Sequence, residues 1–239
     1  MRHGRRDDGA EPVKFLLLAA LLALPAGGAG GAPAPSSQVS RVTLNAELIE
    51  AAGRGDVAAV RTLLARGASP DARRPDGRTA LTAAALGDHV AVARLLVDAG
   101  ADPDPQDQVR NNALLVTGET GSVAMLREVL RAGPDLTRTN RFGGTALIPA
   151  ADRGHVEYVR ELLKTGVDVD HVNNLGWTAL LEAVILGDGG PRHTEIVRLL
   201  LAAGADTGIA DRDGVTPLEH AKRRGYAGMV RLLTPGRQN

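Results

Sequence analysis

The chain has no cysteine. That excludes disulfides, thiolate metal sites, a cysteine nucleophile and a lipid carried on an N-terminal cysteine. It also suits a compartment in which a stray thiol would be oxidised. Aromatic residues are scarce, at 2% of 239 residues. Hydrophobic residues still reach 44%, so the apolar content is mostly Ala, Leu and Val, as expected of small helices stacked closely. There is no excess of either charge: 28 basic side chains face 28 acidic ones. A zero formal charge offers no bulk attraction to nucleic acid or to an anionic membrane.

What the chain has in quantity is repetition. Thr79-Ala80-Leu81 returns as Asn112-Ala113-Leu114, Thr145-Ala146-Leu147, Thr178-Ala179-Leu180 and Thr216-Pro217-Leu218. Two residues before each stands Gly77, Arg110, Gly143, Gly176 or Gly214, and the first four of these are spaced by 33 residues. A second marker keeps the same register: Gly67-Ala68, Gly100-Ala101-Asp102, Gly133-Pro134-Asp135, Gly166-Val167-Asp168 and Gly204-Ala205-Asp206. Two markers holding one period point to an array in which each unit packs on its neighbours, so length alone does not count domains.

The N-terminus differs in kind. Arg2, Arg5, Arg6 and Lys14 precede an apolar run from Phe15 to Leu24, which Pro25 ends. A basic start, about ten apolar residues and small residues beyond them form a secretory signal. The run is short of the ~20 apolar residues that span a bilayer. The expected division is a signal peptide over 1–29, cleaved between about residues 26 and 32, a Gly/Ala/Pro linker over 30–41 and a repeat domain over 42–236. No stable membrane span remains after cleavage, and the expected location is periplasmic or secreted.

Within the array, each unit reads as a turn, a short helix, a second turn and a longer helix. Asn45 is a candidate cap for the first helix. The third unit looks least regular, because Thr117 and Gly118 are poor helix formers, and it is expected to be the softest. Pro149 falls near the first turn of its helix, where a missing N–H costs little. From Gly176 to Gly214 the spacing is 38, which places a five-residue insertion at Asp188–Arg192. It is expected in a loop and dispensable for folding, since insertions into repeats map to loops. The sixth unit, with Lys222, Arg223 and Arg224, reads as a C-terminal cap.

The period and the Thr-Ala-Leu marker resemble the ankyrin repeat, with its 33 residues and its T-P-L-H-x-A signature. Over Val42–Pro235 the chain resembles bacterial ankyrin-repeat proteins that carry an export signal. The resemblance implies an all-α solenoid of about six helix-turn-helix units with hairpin fingers. It also implies protein binding through the concave face; the expected protein is a non-catalytic monomer without a cofactor. One departure is consistent: the family's His after T-P-L is replaced by Thr82, Leu115, Ile148, Leu181 and Glu219. The hydroxyl-to-His bond of the family cannot form, and apolar packing is expected in its place.

By the family's register, partner-binding positions are finger tips and the exposed side of each first helix. The tips include Arg78, Asn111, Phe142, Leu175 and Trp177, with Pro75, Asp76, Gln108, Val109, Arg141, Asn174, Arg212, Asp213 and Val215 around them. The helix positions are Leu86, Glu119, Asp152, Ile185 and Arg223. An exposed central Trp is a typical binding anchor, although Trp177 could equally cover the next finger. Glu182 and His220 share a register position in adjacent units and could meet as an acid/base pair. No third orienting group, nucleophile motif or Gly-rich phosphate loop accompanies them.

His89, His155 and His193 each follow an inter-helix turn. They come from different repeats, with ~10 Å between stacked helices, too far apart for the ~2.1 Å ligand distances of a shared metal. Asp102, Asp104, Asp107, Asp168 and Asp170 lack the ligand spacing of a calcium loop and read as repeat turns. Three functions compete. One is an exported scaffold for a protein partner, another a structural or chaperone-like envelope protein, and the third a hydrolase built on Glu182 and His220.

Overall fold

The computed structural model describes residues 35–236. The signal peptide expected over 1–29 and the start of the linker lie outside them. Among the described residues the secondary structure is helical, in six pairs, with one isolated bridge between Arg73 and Thr79. The pairs are α1 (Pro35–Arg54) with α2 (Val57–Ala65), α3 (Ala80–Leu86) with α4 (Val90–Asp98), and α5 (Ala113–Thr120) with α6 (Val123–Arg131). They continue as α7 (Leu147–Asp152) with α8 (Val156–Leu162), α9 (Ala179–Ile185) with α10 (Pro191–Ala202), and α11 (Pro217–Arg223) with α12 (Ala227–Leu233).

The repeated Thr-Ala-Leu marker is a helix start. The side-chain oxygens of Thr79, Asn112, Thr178 and Thr216 accept from the backbone N–H three residues on, which satisfies a donor the helix itself cannot. The second helices bury apolar residues at one helical face. The sets Val92, Ala93 and Leu96, then Met125, Leu126 and Val129, then Tyr158, Val159 and Leu162, then Ile196, Val197 and Leu200 are all buried. First helices stack on first helices from α1 to α11, and second helices on second helices from α2 to α12. The result is an all-helical two-layer solenoid, with the core running along its length.

Four local expectations change. The first helix begins at Pro35 and runs unbroken to Arg54, so Asn45 sits inside it and caps nothing. Its Oδ1 instead accepts from the backbone N–H of Ser69, 2.8 Å away, and ties α1 to the turn after α2. The third unit is regular: α5 spans eight residues, and Ala113 to Gly118 are buried. Gly118 weakens an isolated helix, but here it permits contact. A Cβ on it would lie 2.3 Å from the Ala146 carbonyl oxygen.

The irregular first helix is α7, with six residues. Elsewhere the N–H at the register of Pro149 closes the first turn, as Ala83 N–H does on the Thr79 carbonyl. Pro149 has no N–H. Ile148 N–H therefore closes a tighter turn on the Thr145 carbonyl at 3.2 Å, and the buried Thr145 hydroxyl is left without a partner.

The insertion is only partly a loop. Pro191 and Arg192 open α10, which reaches twelve residues with Pro in its first turn. Asp188 Oδ1 lies 2.8 Å from His193 Nδ1, and Gly189, at φ +70, supports the Tyr226 ring so closely that a Cβ would strike it. The segment therefore takes part in the packing between units five and six. The expected replacement of the family's histidine by apolar packing holds for Leu115, Ile148 and Leu181, all buried. Elsewhere a polar bond takes its place: the Thr79 and Thr82 hydroxyls lie 3.1 Å apart, and Thr216 and Glu219 form a capping box.

Candidate binding cleft

Four fingers are held from within by an Asp or Asn at one register position. Asp107, Asn140, Asn173 and Asp211 each accept, through Oδ1, from two backbone N–H groups of their own turn. Successive fingers then join: Asn174 N–H donates to the Phe142 carbonyl at 2.9 Å, and Gln108 N–H to the Asp76 carbonyl at 2.8 Å. This places Phe142 and Leu175 side by side, 55% and 51% exposed. The Arg141 guanidinium lies over the Phe142 ring, 4.7 Å from its centroid.

Between these tips and the first helices of units three to five lies a cleft of about 270 Å³. Phe142, Leu175, Ile148 and Pro149 give it apolar walls, and Glu119, Asp152, Arg153 and Glu182 bring charge to it. Glu182 is buried, at 7% exposure. Its Oε1 accepts from Asn173 Nδ2 at 2.7 Å. Burial, reinforced by the negative charge of Asp152, pushes its carboxyl up to about 7 despite that hydrogen bond.

Of the binding positions expected from sequence, the structure brings Glu119, Phe142, Asp152 and Leu175 together in this cleft. Leu86 is exposed, 45%, one unit earlier, and Ile185 is half-buried on α9 outside the walls. Arg78, Asn111 and Trp177 are half-buried. Trp177 is not a wall of the cleft; its backbone N–H is held by Asn173. Val215, expected at a tip, is buried.

The proposed acid/base pair does not form. Glu182 bonds Asn173, and His220 Nε2 lies 2.7 Å from Asp211 Oδ2. Each side chain is taken by the turn residue of its own finger, and no hydrogen bond or ion pair joins the two among the described residues. Sequence reasoning missed Asn140 and Asn173 as part of the cleft. The signal was available: Asp107, Asn140, Asn173 and Asp211 follow the same spacing as the glycine marker.

The remaining candidates act between repeats. His89 Nε2 meets the Gly53 carbonyl at 3.1 Å, His155 Nε2 the Glu119 carbonyl at 3.1 Å, and His193 Nε2 the Asp152 carbonyl at 2.8 Å. In the last unit Tyr226 does the same, donating its hydroxyl proton to the Gly187 carbonyl at 2.9 Å. Each ring reaches back to the end of the preceding unit's first helix. The turn aspartates also work across repeats: Asp71, Asp104 and Asp170 accept from the backbone N–H of Asp102, Asp135 and Asp206.

The outer helix layer is different in its charge. Glu128 accepts from Arg94 of the preceding unit at 2.7 Å and pairs with Arg131 of its own. Glu161 is likewise shared by Arg127 and Lys164, and Glu195 by Arg160 and Arg198. These pairs hold the carboxyl of Glu195 down at about 2. No helix of the described residues is long and apolar enough to cross a membrane.

A family model described as ankyrin repeats (3 copies) matches residues 48–140 and 114–211. Over 52 residues the chain is 46% identical to YahD, an Escherichia coli (strain K12) protein named for its ankyrin repeats. That match covers 22% of this chain and 26% of YahD. Among solved structures, an ankyrin repeat domain from Acinetobacter baumannii AYE is 49% identical, with a TM-score of 0.76 over 78% of this chain and 95% of that one. The ankyrin repeat protein EF0377 is 37% identical, with a TM-score of 0.76 over 79% of this chain and 96% of its own. The ankyrin repeat domain of Bcl-3, a member of the IkappaB protein family, is 31% identical, with a TM-score of 0.69 over 78% and 84%. The family match and the two-layer array of paired helices with fingers agree, and the chain belongs to the ankyrin-repeat family.

Proposed function

We propose that this chain is an exported, non-catalytic scaffold that binds another protein through its finger tips and the adjoining face of its first helices. Ankyrin repeats as a class mediate protein–protein interaction. The observation that carries the reading here is the pairing of Phe142 and Leu175, two large apolar side chains more than half exposed on neighbouring fingers at the mouth of a cleft. Exposed apolar groups beside a concavity mark sites where a partner seats an anchor. In the outer helix layer the charges of Glu128, Glu161 and Glu195 are instead matched across the repeats.

Export rests on the basic start and the Phe15–Leu24 apolar run. Intact-mass measurement of the periplasmic and secreted fractions should find a chain beginning between about residues 26 and 32. Full-length chain confined to the cytoplasm would end this part of the reading. Binding is tested by placing a photo-crosslinking amino acid at Phe142, at Leu175 and, as a control, at Arg127 in the outer layer. The same protein should be captured at the first two positions and not at the third. Equal capture at all three, or none, would overturn the assignment of the face.

A further inference from the structure

The acids of the cleft differ from those of the outer layer in having no cation matched to them. In the outer layer Glu128, Glu161 and Glu195 each receive two cations. In the cleft, three carboxylates face one guanidinium, that of Arg153. The carboxylates of Glu119 and Asp152 form no ion pair among the described residues, and only their backbone carbonyls are engaged, by His155 and His193. Glu182 is buried to 7% exposure, yet only its Oε1 has a donor, Asn173 Nδ2. Glu182 lines the cleft, and its second oxygen accepts no hydrogen bond among the described residues. A buried carboxylate is costly unless it is paired, so this arrangement is built to be completed from outside.

The size of the space limits what completes it. About 270 Å³ lies below the ~300–1,000 Å³ of small-molecule and cofactor sites, and an open cleft of this volume suits one side chain. Of its lining residues the apolar Phe142 and Leu175 are exposed, while the acids Asp152 and Glu182 are half-buried and buried. A long aliphatic stem with a cationic head matches that order. Resting on the scaffold reading above, we infer that the cleft receives a single arginine or lysine side chain projecting from the partner protein. Its stem lies against Phe142 and Leu175, and its head meets Asp152 and Glu182.

The charge state of Glu182 follows the same geometry. Its carboxyl is pushed up to about 7 by burial and by Asp152, so an arriving cation displaces a proton from it below that pH. The other charged groups around it are Glu119 on α5, and Asp152 and Arg153 on α7 and its end. Arg141 lies over Phe142. On α11, behind α9, His220 is already held by Asp211. Capture of a cation therefore strengthens as pH rises through about 7.

The test uses the full chain with three blocked single amino acids: acetyl-arginine methylamide, acetyl-lysine methylamide and the neutral acetyl-citrulline methylamide. Amide shifts at Gly144 and Leu175 should saturate with a cationic probe at millimolar concentration, several-fold more tightly at pH 8 than at pH 6. Citrulline should give none. Glu182→Gln should remove the pH difference, and Asp152→Asn, at a half-buried position, should weaken binding in a folded chain. Saturation by citrulline equal to that by arginine, or no saturation at either pH, overturns the inference. If crosslinks at positions 142 and 175 persist while the cationic probes fail, the scaffold stands and this occupant falls. If the probes bind and the crosslinks are absent, the cation site stands and the protein partner falls.

Discussion

The hydroxyls of Tyr158 and Thr117 meet 2.8 Å apart across the boundary between units three and four, in a place without solvent access. Thr117 spends its own proton on the Leu114 carbonyl at 2.7 Å, so Tyr158 is the donor to Thr117. Burial raises the phenol's pKa well above its ordinary value. The two residues are therefore not equivalent under mutation. Thr117→Val strands a buried phenol hydroxyl and should cost about 1–3 kcal/mol, whereas Tyr158→Phe leaves Thr117 its bond to Leu114 and should cost about 1 kcal/mol or less. Urea unfolding of the two variants checks the order; a larger loss for Tyr158→Phe would reverse the donor assignment.

Gly118 should not tolerate alanine, although helix propensity alone favours the change by ~1 kcal/mol. The new Cβ would come within 2.3 Å of the Ala146 carbonyl oxygen, a backbone atom that cannot rotate away. Overpacking of this kind costs about 1–3 kcal/mol, so Gly118→Ala should lower the melting temperature. A rise would mean that α5 and α7 separate without penalty.

Arg110 occupies the turn position that is glycine in the other fingers, and it does so at φ 61. A side chain in that left-handed region is strained by roughly 1–2 kcal/mol. Its guanidinium gains only a long contact with the Thr139 hydroxyl, at 3.3 Å and exposed. Arg110→Gly should therefore stabilise the chain by about 0.5–1 kcal/mol despite the greater freedom of glycine in the unfolded state. Thermal unfolding with an unchanged or lower midpoint would show that the Thr139 contact outweighs the strain.

Glu182 should make the chain less stable as pH rises from about 4.5 to about 7. Its folded pKa, about 7, lies above the ordinary 4.5. In that window the folded state binds more protons than the unfolded one, so stability falls with increasing pH. Glu182→Gln keeps an oxygen for Asn173 and removes the titration. The variant should match the wild type near pH 4.5 and exceed it above pH 7. Parallel stability curves across the window would show that Glu182 does not carry this proton.

The repeat architecture was legible because two independent markers share one period, and because the Thr-Ala-Leu marker is itself a helix-capping signal. The cleft was half legible. Register placed Phe142, Leu175, Glu119 and Asp152 on one face, and the structure gathers them. It also suggested that Glu182 and His220 meet, since they share a position in adjacent units. Register gives the height of a residue along the unit but not the direction of its side chain, and each was captured by the nearer Asx residue of its own finger. The insertion was misread for a related reason. A period break locates extra residues but does not say that Pro191 starts a helix two residues before His193.

The back-reaching rings have a consequence for how the joints respond to salt. His89, His155, His193 and Tyr226 join their units to the one before by bonds from the ring to a backbone carbonyl. In the third unit the same position is Ser122, whose short side chain caps its own helix at Met125. The joint between units two and three instead carries Arg94 with Glu128 and Arg131 with Asp98, all but Glu128 at least half exposed. Exposed ion pairs are screened within a Debye length of about 8 Å at physiological salt, whereas ring-to-carbonyl bonds are not. Concentrated salt therefore weighs most on the joint between units two and three; the joints carrying Arg127–Glu161 and Arg160–Glu195 lose their exposed pairs as well but keep a ring-to-carbonyl bond each.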